Sequence, residues 1–292
     1  ITRCQTVLAQ MLWLRNQDND RQQASQLIQS GDLQLEYFVY GNGETVVICL
    51  HGHGRSASDF AFLEDPARKV IAIHLPFHGN STFPIERIEP EPLSINEFYD
   101  GFLKILREEQ IEHFHLFAFS QGGRFSLCLL PMLAEKIRSL TLISPDGMDN
   151  YSFYNWTSRK AWARALFRSW EKDPKRLLTY GKIAKTIGLM RPKVLAFVRE
   201  FTSSKKSFIR ASQTWRCFRE IQPDPKITGK TIQQFKIPFT IIMGSFDQVI
   251  RPKQAYAFEK KCGLENIVVE IKSGHNFFKA STVDKFKHLL PF

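Results

Sequence analysis

Short apolar runs recur along the chain, separated by polar turns and by stretches with helical spacing. Val46–Leu50 (VVICL), Val70–Ile73 (VIAI), His113–Phe119 (HFHLFAF), Leu140–Ser144, Phe239–Gly244 (FTIIMG) and Ile267–Ile271 (IVVEI) have the length and β-branched or aromatic content of buried strands. Asp32–Tyr40 alternates enough to be a strand, and Gly41-Asn42-Gly43-Glu44 is a turn into the next one. Ser94–Glu109 places Ile95, Phe98, Phe102, Ile105 and Leu106 on one helical stripe, opened by a capping box of Ser94 and Glu97. Arg124–Leu133 reads as a buried helix. Strands alternating with helices predict an α/β domain with a mostly parallel central sheet flanked by helices.

The alternation stops after Leu140–Ser144 and resumes at Phe239. The intervening stretch reads as helices over Ser158–Glu171, Lys193–Phe201 and Phe208–Phe218, and Pro223-Asp224-Pro225 returns the chain to the body. The predicted organisation is a core of residues 31–147 and 231–292, an inserted helical segment over 148–230, and a helical N-terminal segment over 1–30.

The chemistry concentrates at strand ends. Phe117-Ala118-Phe119-Ser120-Gln121-Gly122-Gly123 puts a serine between small residues at a strand-to-helix junction, where a sharp turn exposes the hydroxyl. Three other strands end in residues that such a serine needs. Val46–Leu50 runs into His51-Gly52-His53-Gly54, Phe239–Gly244 into Ser245-Phe246-Asp247, and Ile267–Ile271 into Ser273-Gly274-His275. A neutral serine is a poor nucleophile, so a base must take its proton and an acid must orient that base.

With serine, aspartate and histidine in this order, the chain resembles the α/β-hydrolase superfamily, as a capped serine hydrolase or esterase-like member. The resemblance covers roughly residues 32 to 290 and implies an α/β-hydrolase fold with an inserted helical lid. It implies Ser120 as nucleophile, His275 as base and Asp247 as the acid, with the backbone N–H groups of His53 and Gln121 forming an oxyanion hole. A few relatives place the acid after the preceding strand, where Asp146 stands; Pro145-Asp146-Gly147 also reads as a plain turn. His53, Phe77, Trp156 and Phe246 are candidate pocket residues. The implied reaction is cleavage of an ester, thioester or amide through an acyl-enzyme, without a cofactor or metal. The alternatives are a non-hydrolytic ligand receptor of the same fold, or a protein whose basic segment binds membranes or polyanions. His74-Leu75-Pro76-Phe77-His78-Gly79-Asn80-Ser81 departs from the family's common Asp-Leu-Pro-Gly-His-Gly-x-Ser loop, with His74 for Asp and Phe77 for Gly.

Charge changes the picture in one place. Residues 148–230 carry 19 Lys and Arg against 6 Asp and Glu, whereas the rest of the chain carries 21 against 23. In Ser158–Glu171, Trp162, Leu166 and Trp170 repeat at i, i+4 and i+8, which predicts a buried aromatic side and a solvated basic side. Functional uses of that charge are attraction of an anionic substrate or peripheral contact with an acidic membrane. A small or lipid-like ester is the expected partner, and no motif points to nucleic acid. Five scattered cysteines without a Cys-x-x-Cys pair suggest a reducing compartment. No apolar run approaches the roughly 18 residues that a membrane span needs. Val7–Leu14 is a poor signal-peptide core, and the expected location is cytoplasmic.

Overall fold

The computed structural model describes residues 25–149, 158–186, 202 and 204–292. Among the described residues eight strands form one sheet: β1 (Gln26–Ser30), β2 (Leu33–Tyr40), β3 (Thr45–Leu50), β4 (Arg68–Ile73), β5 (Phe114–Phe119), β6 (Ile137–Ile143), β7 (Phe239–Gly244) and β8 (Val268–Ile271), in the order β1-β2-β4-β3-β5-β6-β7-β8. The first two strands pair antiparallel with their neighbours, and every pairing from β4 through β8 is parallel.

The inner strands read as unbroken apolar runs because both of their faces are covered. In β5, Phe114 turns toward helix α1 (Ile95–Glu108), where its ring meets Phe102 at 5.7 Å. Phe117 points to the opposite face, against Phe60 at 5.7 Å. That second face is a phenylalanine-rich cluster with Phe119, Phe277 and Phe286 all buried. Removing a ring from it, as in Phe117→Ala, removes about 3–5 kcal/mol of packing. Helix α2 (Gln121–Leu133) packs directly against β3: a Cβ on Gly122 would lie 2.2 Å from the Leu50 carbonyl oxygen, so only glycine permits that approach.

The N-terminal expectation needs correction at its end. Residues 26–30 are the edge strand β1 rather than helix, joined to β2 by the two-residue turn Gly31-Asp32, with Gly31 at φ +59°. Hydrogen bonding to β2 overrides the mixed, helix-permissive composition of Gln26–Ser30. Residues 1–24 lie outside the described ones.

The described residues form two compact units. One comprises those up to Thr82, Ile95–Asp149 and Ile221–Phe292; the other comprises Phe83–Ser94 and those between Asp149 and Ile221. The boundary therefore differs from the expected 148–230: residues 221–230, which open helix α6 (Pro225–Phe235), belong with the sheet, and 83–94 belong with the insertion.

The second unit contains α3 (Ala161–Ser169), α4 (Lys175–Thr186) and α5 (Lys205–Cys217). Phe167 packs on Trp215 at 4.5 Å and on Phe208 at 5.5 Å. The buried Arg216 bridges Glu89 at 2.8 Å and Glu171 at 2.6 Å, Arg164 also pairs with Glu89, and Arg219 donates to the carbonyls of Ile88 and Glu89. Part of the insertion's positive charge is thus consumed in fastening residues 83–94. The expected buried stripe also shifts: Trp162 and Leu166 are 56% and 45% exposed, while Ala163 and Phe167 face inward because that side meets α5. The predicted helix over Lys193–Phe201 lies outside the described residues.

Candidate active site

Ser120 occupies the turn between β5 and α2 at φ +48° and ψ −114°, a conformation that side chains other than glycine rarely adopt. The backbone around it holds that strain. Its N–H donates to Ile143 O at 3.0 Å, and its carbonyl accepts the N–H groups of Gly123 at 2.9 Å and Asp146 at 2.8 Å. A Cβ on Gly123 would lie 2.4 Å from the Pro145 side chain, so the second glycine is also sterically required. Gln121 opens α2, where the first N–H groups have no acceptor inside the helix and the dipole favours negative charge.

The other two members of the predicted trio come from the ends of β7 and β8. Asp247 is 1% exposed, and its carboxylate is fully engaged. Oδ1 accepts the N–H groups of Val249 at 2.8 Å and Ile250 at 3.0 Å, and Oδ2 accepts His275 Nδ1–H at 2.7 Å. Burial acts to raise the Asp247 pKa, but the hydrogen bond and charge of His275, with the Ile250 N–H, hold it below the ordinary carboxylate range. The tautomer set by Asp247 leaves His275 Nε2 as acceptor, and the Ser120 hydroxyl donates to it at 3.2 Å. The imidazole lies against the Phe119 ring, centroids 5.0 Å apart. Asp146, the alternative acid, makes a bidentate ion pair with Arg124 at 2.8 and 3.0 Å instead.

The loop after β3 lies directly beside the serine: a Cβ on Gly52 would sit 3.1 Å from Ser120 Cβ and 2.7 Å from the Phe119 ring. Three histidines tie this loop and its neighbour together. Each donates through Nδ1 and accepts a backbone N–H at Nε2. His51 donates to Gly52 O and accepts from Leu75, His74 donates to Glu36 and accepts from Ala57, and His78 donates to Pro76 O and accepts from Gly54. His53 is half-buried, its ring 5.6 Å from that of His78.

The remaining pocket candidates are dispersed. Phe77 is half-buried at φ +68°, a left-handed backbone that explains why the family pattern carries glycine there. Phe246 is 65% exposed beside Asp247, and Trp156 lies outside the described residues. Glu36, His74 and Arg124 are site-supporting residues that the sequence did not single out for this role. Arg124 is a polar residue inside a largely apolar helix, Glu36 an acidic one inside β2, and His74 stands just past the end of β4.

Among the described residues no helix is long and apolar enough to cross a membrane, and no three His, Cys, Asp or Glu side chains are grouped to hold a metal.

A serine on a strained strand-to-helix turn, joined through a histidine to a buried aspartate at the ends of parallel strands, defines the class. A family model described as the alpha/beta hydrolase fold matches residues 45–280, and the chain belongs to that family. Over 130 residues it is 32% identical to the dihydrolipoyllysine-residue acetyltransferase component of the acetoin cleaving system of Pseudomonas putida, a match covering 43% of this chain and 34% of that protein. The chain spans about a third of the length of the curated relatives it matches. Its fold is similar to that of MGS-M2, an alpha/beta hydrolase enzyme from a Medee basin deep-sea metagenome library. The TM-score there is 0.64 at 14% identity, covering 90% of this chain and 97% of that one. It is also similar to a bromoperoxidase from Bacillus anthracis, with TM-score 0.60 at 16% identity, covering 91% of this chain and 98% of that one. At such identities the likeness is one of fold.

Proposed function

We propose that this chain is a serine hydrolase that cleaves a carboxylic ester, or a related thioester or amide, through an acyl-enzyme. The observation that carries this reading is the unbroken hydrogen-bonded line from the Ser120 hydroxyl through His275 to the buried Asp247. As Ser120 Oγ attacks the acyl carbon, His275 Nε2 takes its proton and Asp247 stabilises the imidazolium. The carbonyl oxygen becomes an oxyanion held by the N–H groups of Gln121 and His53. His275 then gives its proton to the leaving alcohol, and the acyl group stays on Ser120. Water repeats the sequence: His275 removes its proton, hydroxide adds to the acyl carbon, and Ser120 leaves protonated with the free acid. No external redox partner or metal is needed for these steps to balance. The test is turnover of a nitrophenyl ester series by the protein and by Ser120→Ala. A loss of about 10⁴-fold or more is expected with the fold intact, and retention of more than about a hundredth of the activity sinks the acyl-enzyme route.

A second reading concerns the basic insertion. Trp162 and Leu166 are exposed on α3, which also carries the exposed Arg168, and this suits an acidic lipid-like substrate or surface. Reversing Lys160, Arg168 and Lys172 to Glu should weaken action on anionic esters at low salt while sparing a small neutral ester. Equal loss on both, or on neither, removes this reading.

A further inference from the structure

Arg124 lies four residues beyond Ser120 on α2, with its side chain 7% exposed among apolar neighbours. Its guanidinium bonds two chain segments far apart in sequence. Nε and one terminal nitrogen donate to the two Asp146 carboxylate oxygens at 2.8 and 3.0 Å, and the other terminal nitrogen donates to the Ile221 carbonyl at 3.0 Å. Asp146 stands just before the chain leaves the sheet-bearing unit, and Ile221 is where it returns.

The packing is as tight as the bonding. Gly147 sits at φ +93°, and a Cβ there would lie 2.9 Å from the Pro223 ring, 3.2 Å from Arg124 Cα and 3.3 Å from Arg124 Cβ. Exit, return and helix therefore meet at one point around the arginine stem. Asp146 also reaches the nucleophile, because its N–H donates to the Ser120 carbonyl at 2.8 Å. Its carboxylate further accepts the Gly147 N–H at 2.8 Å. The Ser120 turn at φ +48° and the Ser144 turn at φ +37° are both left-handed at non-glycine residues, and their strands are neighbours in the sheet. Two adjacent strained turns need an external hold, and the Asp146 backbone supplies part of it.

We propose that Arg124 is a positioning residue that clamps the exit and the return of the inserted segment onto the nucleophile's helix, and through Asp146 holds Ser120 in its attacking conformation. This rests on the hydrolase reading above. A lysine at position 124 carries the charge but cannot serve two carboxylate oxygens and a carbonyl with one planar fork.

The test uses the full chain with Arg124→Met, Arg124→Lys, Asp146→Asn and the Met/Asn double variant. Two readouts are taken: steady-state kinetics on a nitrophenyl ester, and amide hydrogen exchange without substrate. We expect Arg124→Met to lower kcat at least tenfold with KM changed less than twofold. Exchange should quicken selectively at the amides of residues 144, 146–149, 221 and 222. Arg124→Lys should recover only part of kcat, and the double variant should be no worse than Arg124→Met alone. If Arg124→Met fails to fold, Asp146→Asn carries the same expectation with smaller amplitude. If neither segment exchanges faster in Arg124→Met or Asp146→Asn, the proposal is overturned. It is also overturned by faster exchange with kcat unchanged, or by additive losses in the double variant. Should no variant nor the parent turn over esters, the hydrolase reading fails by itself, and the exchange pattern still decides the clamp.

Discussion

Replacing Glu36 with Gln should weaken the fold most at neutral pH and least in acid, because this carboxylate anchors the loop after β4, which the histidines tie to the loop beside Ser120. Glu36 is 3% exposed on β2. It accepts His74 Nδ1–H at 2.8 Å, the Asn80 N–H at 2.7 Å and the Asn80 amide at 2.6 Å. Burial acts to raise its pKa, but the hydrogen bonds from His74, Asn80 and Ser25 lower it from the ordinary 4.5 to about 2. At about 1.4 kcal/mol per pH unit, that gap is worth about 3 kcal/mol of folding stability. Since the folded value is the lower one, this stability is fully present above about pH 4.5 and is lost as the pH falls toward 2. Glutamine keeps the shape but turns one acceptor end into a donor facing other donors. The assay is urea unfolding of both proteins at pH 7, 5, 4 and 3, followed by far-UV circular dichroism. The difference should be about 3 kcal/mol at pH 7 and shrink steadily below pH 4.5. A difference that does not vary with pH, or one under about 1 kcal/mol at pH 7, refutes the reasoning.

Asp247→Asn should cut kcat by about 10⁴-fold by disturbing the His275 tautomer, whereas Asp146→Asn should cost roughly tenfold; steady-state turnover of one ester by both variants checks the ranking. Gly122→Ala should lose at least 1–3 kcal/mol, and about as much soluble yield as a core defect does, because the new methyl meets the Leu50 carbonyl rather than a movable side chain. Unfolding midpoints at pH 7 measure it.

The inner strands were legible because a segment covered on both faces must be apolar throughout, and such runs stand out in Val46–Leu50 or Phe239–Gly244. The serine, the aspartate and the histidine were legible for a related reason: each follows such a run by only a few residues. The edge strand β1 was not, because Gln26–Ser30 (QLIQS) has only Leu27 and Ile28 as apolar residues and is exposed on most of its surface. Its one local signal was Gly31-Asp32, which fits a tight hairpin turn. Glu36 and His74 are 38 residues apart, and nothing near either one announces the other. The replacement of an aspartate by His74 marks the spot in hindsight, since a histidine there must find its own acceptor for Nδ1–H. Arg124 was absorbed into a helix read as buried, and burial is correct; its partners only appear once β6 lies beside β5. Trp162 and Leu166 misled because i, i+4 spacing identifies a stripe without saying which side a neighbour covers.

The central claim is that Ser120 is the nucleophile driven by His275 and Asp247. The most direct measurement is reaction with a fluorophosphonate followed by peptide mass spectrometry. The expected result is a single stoichiometric adduct on the peptide containing Ser120, its rate of formation falling at least a hundredfold in His275→Ala. An adduct on another serine, or labelling of Ser120 at an unchanged rate without His275, contradicts the account.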